Sequence, residues 1–319
     1  MNARQSGAAL LMALTTVALV STLASAVVWQ QWRGWQIERS ERHANQLRWL
    51  LLGGMDWARL MLRIDAMSNT TDHLGEPWAV PLQEARLSTF LSSQAAQETQ
   101  DLGDLALDAF LSGRIVDAQG LLNARNLVQS NANGPAVSEP DVRMWQRLFE
   151  LTGLDPERVR PFAQQWVQQQ SSLAKRPDMA VVSQPLQWTA LGLSAAEIAR
   201  LVSYVVALPT RTPLNLNTAP PVVLRAVLET QADASTAQAL LQWRDNAPLS
   251  QLNEVRQRWP VLAPAVDAQR LSVQSQYFVI QGRVRVDQVS QRVDMGVKRE
   301  GINVTTLWWH PVPSLEAGL

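Results

Sequence analysis

The sequence predicts an α+β protein in which a long N-terminal helix is followed by strands, then by an all-helical stretch, then by strands again. Three observations predict it. An uncharged run from Ala8 to Trp29 passes into a proline-free amphipathic run from Glu38 to Ile64. Helix-start signals gather between Asp141 and Arg270, and strand-like strings return after Leu271.

The first helix is the most informative element. As a helix rising about 1.5 Å per residue, Ala8 to Trp29 reaches roughly 33 Å, enough to cross a bilayer. Trp29, Trp32 and Trp35 gather at its end around Arg33, as amphipathic rings do at a membrane–water interface. Leu47, Leu51, Met55, Ala58 and Met61 then recur at helical spacing, so the same helix is expected to continue into a soluble domain with that stripe facing a core. It should stop before Ser68-Asn69-Thr70.

Short β-like strings follow at Leu87 to Leu91 and at Leu105 to Val116, and Asp117-Ala118-Gln119-Gly120 supplies turn chemistry. In the helical stretch, Asp155 before Pro156 and Glu157 marks a helix start, and Ser194 with Glu197 forms a capping box ahead of Ile198 and Leu201. Thr218 is placed to cap a helix opening with Ala219-Pro220-Pro221. Strands are expected over QYFVIQGRVRVDQ, RVDMGVK and INVTTLWW.

Composition narrows function by exclusion. The 319 residues carry 28 basic and 28 acidic side chains, so no global field favours nucleic acid, an anionic surface or a cationic partner. There is no cysteine, which removes disulfides, thiolate nucleophiles and thiolate metal sites. His43, His73 and His310 lie far apart in sequence without the partners of a metal or triad motif. No P-loop or dinucleotide fingerprint is present, and Gly113 and Gly192 read as turn residues, so no enzyme activity is expected.

Three readings fit the N-terminus: a secretory signal cleaved after Ala24-Ser25-Ala26, a plain signal anchor, and a third carried by RQSGAALLMAL. There a short basic leader ends at Gly7 and the apolar helix starts at once with Ala8. This resembles the prepilin peptidase site of type IV pilins and pseudopilins, which implies cleavage between Gly7 and Ala8 and N-methylation of Ala8. Counted from Ala8, the fifth residue is Met12, where most pilins carry glutamate; lacking that acid is characteristic of the K-type minor pseudopilins of type II secretion systems.

Further strings are similar to that family: TDHLGEPWAVP after the first helix, GRIVDAQGLLNARNL, LNLNTAP and YFVIQGRVRV. The resemblance implies a type IV pilin-like fold with a large inserted all-α domain holding a helix-hairpin-helix/SAM-like segment. It divides the chain into a leader (1–7), a transmembrane helix (8–29), its soluble continuation (30–67), a first pilin-like part (68–125), the insertion (126–270) and returning strands (271–319). It implies a subunit at the tip of the pseudopilus, with Met12 as a tip determinant. The expected partners are I-type and J-type minor pseudopilins, prepilin peptidase and, before assembly, inner-membrane lipid. The protein would cross the bacterial inner membrane once, with its C-terminal domain in the periplasm.

Two alternatives stand beside it. A minor pilin of a true type IV pilus shares the leader and fold. LNLNTAPPVVLRAVL followed by STAQALLQWRDNAPLSQLNEV also resembles the helix-hairpin-helix of membrane-tethered DNA receptors. In that module a glycine-containing hairpin cradles a phosphate; here the linker Glu229-Thr230-Gln231-Ala232-Asp233 has no glycine and two acids, so nucleic acid is not expected as a partner. Relatives also imply calcium, but Gln164, Gln165, Gln168, Gln169 and Gln170 stand where they place an aspartate-rich string. Asp155, Glu157 and Asp178 are too scattered to replace it, and no cofactor is expected.

Overall fold

The computed structural model describes residues 3–86, 109–132, 134–175, 185–229, 232–264, 266–286 and 289–312. Helix α1 (Ala3–Ser68) is continuous from the apolar segment into the soluble part, and at about 1.5 Å per residue it runs close to 100 Å. Its segment Leu10–Glu38, with mean hydropathy 2.1 and none of it buried, is long and apolar enough to cross a membrane. Gly7 and Ala8 lie inside α1, one turn after its start.

The distal half of α1 lies on a five-stranded antiparallel sheet with order β1-β2-β9-β10-β11. The strands are β1 (Leu82–Arg86), β2 (Ala109–Asp117), β9 (Tyr277–Val286), β10 (Val289–Glu300) and β11 (Asn303–Val312). The strands expected after Leu271 are β9 to β11. Of the string Leu105 to Val116, the described part is strand from Ala109; Leu87 to Leu91 lies outside the described residues.

Leu47, Leu51, Met55 and Ala58 are buried against Ile280, Val284, Val293 and Met295, as the helical stripe predicts. The next core position is Leu62, fully buried, and not Met61, which is half-buried; a rise of four residues keeps Leu62 above Ala58 on the same face. Gly113 is also corrected. It sits within β2 opposite Gly282, where a Cβ would come within 2.8 Å of the Gln281 carbonyl, so close strand packing and not a turn requires it. Gly192 does occupy a turn, at φ 86°.

Strands β2 and β9 are direct neighbours, Asp117 pairing with Phe278 and Ala109 with Val286. Residues 118–276 therefore stand where a hairpin turn would otherwise join two adjacent strands. They hold the short strands β3 (Leu122–Asn123), β4 (Val128–Asn131), β5 (Gly134–Val137), β6 (Val205–Val206), β7 (Leu214–Asn215) and β8 (Leu271–Ser272). Their helices are α2 (Glu139–Leu151), α3 (Val159–Lys175), α4 (Ala195–Leu201), α5 (Pro221–Leu228), α6 (Ala234–Asn246) and α7 (Leu252–Arg258). Their core is separate from that beneath the sheet and runs from Leu122 to Val273. At its centre Trp145, Phe162, Trp166 and Trp188 pack with ring centroids 5.3–6.0 Å apart.

Local start signals hold for the most part. Asp155 accepts from the Glu157 amide and opens a 3-10 turn that leads into α3, and Ser194 with Glu197 makes both bonds of the capping box. Thr218 does not cap. Helix α5 starts at Pro221 with Pro220 before it, and the Thr218 hydroxyl is drawn instead to Asp117, 2.6 Å away.

Candidate assembly surface

Helix α1 has two apolar faces beyond the membrane segment. Opposite the buried stripe, Trp49 (72% exposed), Leu60 (49%), Ile64 (51%) and Met67 (60%) recur with spacings that return to one side of a 3.6-residue helix. Gly53 lies on the same side, with open space where a Cβ would be. An exposed apolar stripe of this kind is a candidate contact surface. On the apolar side of α1, Trp29, Trp32 and Trp35 are all exposed.

The second feature is the joint that seats the helical unit. Asp117, at the end of β2, is buried; its Oδ2 accepts from Thr218 Oγ1 (2.6 Å), Ser275 Oγ (2.6 Å) and Asn215 Nδ2 (2.9 Å), and its Oδ1 from the Gln119 amide (2.8 Å). Asn215, in LNLNTAP, also donates to the Asp72 carbonyl and to Ser275 Oγ. One side chain of the insertion thus ties together β2, the connection after α1 and the segment that leads into β9. Next to it, Arg299 of β10 donates to Asp65 Oδ2 (2.8 Å), to Asp72 and to the Ser275 carbonyl (3.0 Å). Glu76 accepts from Trp78 Nε1 at 2.6 Å.

Asp65, at the end of α1, belongs to this joint, whereas Leu50 packs at the other end of the sheet beside Ala109 and Val286. The helical unit therefore sits at the end of α1 farthest from the apolar segment.

Asp65, Asp72 and Glu76 come close enough together to suggest a cation site. The donor set does not fit one, because Arg299 already places its guanidinium between Asp65 and Asp72. The glutamine string lies in α3 with Trp166 turned into the core, and Asp155 is engaged as a cap. Asp178 lies outside the described residues.

In the helix-hairpin-helix segment both linker acids have structural partners. Burial opposes the charge of Glu229, but Arg225 and Arg147 hold its carboxyl below the usual range. Asp233 caps α6 through the Thr236 amide. Arg244 is buried and donates to the Leu216 and Ala219 carbonyls, so it is turned away from any phosphate. Met12 is 66% exposed on the membrane segment. It lies more than 30 residues before the assembly stripe, and the two are joined only through α1. Leu60 and Ile64 recur at helical spacing in the sequence, but only the structure leaves them exposed, and no local pattern marks Asn215.

A long helix half apolar and half laid on an antiparallel sheet, with a helical unit inserted at the far end, defines a pilin-like fold whose first helix is long and apolar enough to cross a membrane. Residues 214–274 match the family described as type II secretion system (T2SS), protein K. The chain is 26% identical to a type II secretion system protein K of Pseudomonas aeruginosa over 96% of its own length and 90% of that protein's. It is 28% identical to that of Klebsiella pneumoniae over 76% of each. It resembles a chain in the crystal structure of the GspK-GspI-GspJ complex from the enterotoxigenic Escherichia coli type 2 secretion system with TM-score 0.65 and 19% identity, over 86% of this chain and 99% of that one. Along most of its length the chain is thus similar to type II secretion system protein K.

Proposed function

We propose that this protein is a minor pseudopilin of a type II secretion system that caps the pseudopilus and helps begin its assembly, acting as a structural subunit with no reaction of its own. The observation that carries the reading is the seat of the helical unit at the distal end of α1. Bulk placed there obstructs a further subunit from stacking above the sheet and leaves the exposed stripe of α1 for neighbours beside and below. The occupants of that stripe are I-type and J-type pseudopilins, in keeping with the complex of the structural neighbour. Substituting Leu60→Arg, on the exposed face, should leave thermal stability within about 0.5 kcal/mol of wild type. It should weaken co-purification with I- and J-type partners at least tenfold, about 1.4 kcal/mol. Undiminished co-purification would move the contact elsewhere.

The membrane segment takes a matching role. Prepilin peptidase cuts between Gly7 and Ala8, Ala8 is methylated, and α1 spans the inner membrane with the C-terminal bulk in the periplasm. Met12 offers no carboxylate to the ammonium of a subunit ahead, so the front position costs this subunit least, since an unpaired charge in an apolar filament core is expensive. N-terminal sequencing of protein from a host with the peptidase should read from Ala8; a start at Val27 would overturn the processing. Met12→Glu should place the subunit along the fibre shaft as well as at its end, and fibre lengths indistinguishable from wild type would remove Met12 from the explanation.

A further inference from the structure

The joint between the helical unit and the sheet holds more buried carboxyl groups than cations. Asp65 from α1, Asp72 and Glu76 from the connection behind it and Asp117 from β2 are each less than 10% exposed. Arg299 from β10 lies between two of them, and His73 stands at the rim with Nε2 3.8 Å from Glu76. The insertion brings only neutral groups to the network, Asn215 and Thr218, and Gln119 and Ser275 at its two ends are neutral as well. The bonds around Asp117 are also those that hold the insertion in place.

We propose that this joint is a proton-sensitive lock: uptake of one proton at the Asp117 carboxyl group relieves its excess negative charge and seats the helical unit more firmly on the sheet, so that the two units keep their mutual orientation more tightly at mildly acidic than at neutral pH. The geometry accommodates the proton. Once protonated, Oδ2 donates to the hydroxyl of Thr218 or Ser275, and either hydroxyl can turn to accept. Oδ1 keeps the Gln119 amide. The hydroxyl that turns to accept no longer donates to Oδ2, while the Asn215 amide keeps the Asp72 carbonyl and Ser275 Oγ as acceptors.

Burial pushes the Asp117 carboxyl up to about 6, against the bonds from Ser275, Thr218 and Gln119, and the charge of Asp72 acts in the same direction. Burial raises Asp72 too, in spite of Arg299. A carboxyl group raised in the folded state binds its proton more tightly there than in the unfolded chain. Folding therefore takes up a proton between about 4 and about 6, and stability falls as pH rises through that range. Glu197 and Glu229 are held below the usual carboxylate range, so their contribution is lost only at lower pH and leaves the interval from 7.5 to 5.5 clear.

The chain has no cysteine, so two introduced ones report a single distance. Spin labels at Gln238→Cys on α6 and Thr305→Cys on β11, both exposed, measure the helical unit against the sheet in the full chain in detergent. The distance distribution should be narrower at pH 5.5 than at pH 7.5, and the thermal midpoint higher by roughly 1–2 °C. Asp117→Asn, neutral at both values, should abolish the difference, whereas His73→Gln should keep it. Equal widths at the two pH values in the otherwise wild-type chain would overturn the proposal even if Asp117→Asn failed to fold. So would a pH response lost in His73→Gln.

Discussion

Arg299→Ala is expected to destabilise the protein by about 3–5 kcal/mol, the cost of leaving buried charge without its partner. The guanidinium is 9% exposed, lies 2.8 Å from Asp65, bonds Asp72 and the Ser275 carbonyl, and stacks over Phe278 at 4.7 Å. Its removal leaves two carboxylates facing each other with a third, Glu76, close by. Arg299→Lys should recover only part of the loss, because an ammonium cannot present two parallel donors to two carboxylates. Urea unfolding of the full chain in detergent measures both. A loss below 1 kcal/mol for Arg299→Ala would mean that the joint relaxes or takes up protons to compensate, and repeating the measurement at pH 5.5, where the expected loss is smaller, would identify that route.

Trp188→Ala is expected to cost a similar 3–5 kcal/mol but to spend it in one unit. The indole is fully buried and meets Trp145, Phe162 and Trp166, so truncation opens a cavity lined by three other large rings that cannot all move in to fill it. Because the cores of the helical unit and of the sheet are separate, amide exchange should accelerate in α2 to α6 while β9 and β10 keep their protection. Uniform acceleration across both units would show that they unfold as one, and would assign the joint around Asp117 and Asn215 a larger coupling than its bonds imply.

The legible parts of the fold share one property, which is that their signal lies within a turn or two of chain. The membrane segment, the stripe from Leu47 to Ala58, the capping box at Ser194 and the strands from Tyr277 to Val312 all follow from periodicity or from a cap three residues away. Where a contact distant in sequence competes with a local rule, the local rule misleads. Thr218 is well placed as a cap, but Asp117, distant in sequence, offered its hydroxyl a buried carboxylate. Gly113 looked like a turn glycine because nothing near it in sequence reveals that the Gln281 carbonyl will press against it.

By itself the sequence determined the long two-part helix, the order of helical and strand segments, the lack of a carboxylate at Met12 and the lack of thiol chemistry, because each depends on residue identity and short spacing. The tertiary structure alone decided that the insertion replaces a hairpin turn between neighbouring strands, that it sits at the far end of α1, and which α1 face stays open. It also decided that Asp65, Asp72 and Asp117 meet Arg299, Asn215 and Ser275. These contacts join residues up to 234 positions apart, and their strength comes from burial, which excludes water and raises the cost of every unpaired group. Burial is a property of the whole packed chain, and no local pattern of residues can announce it.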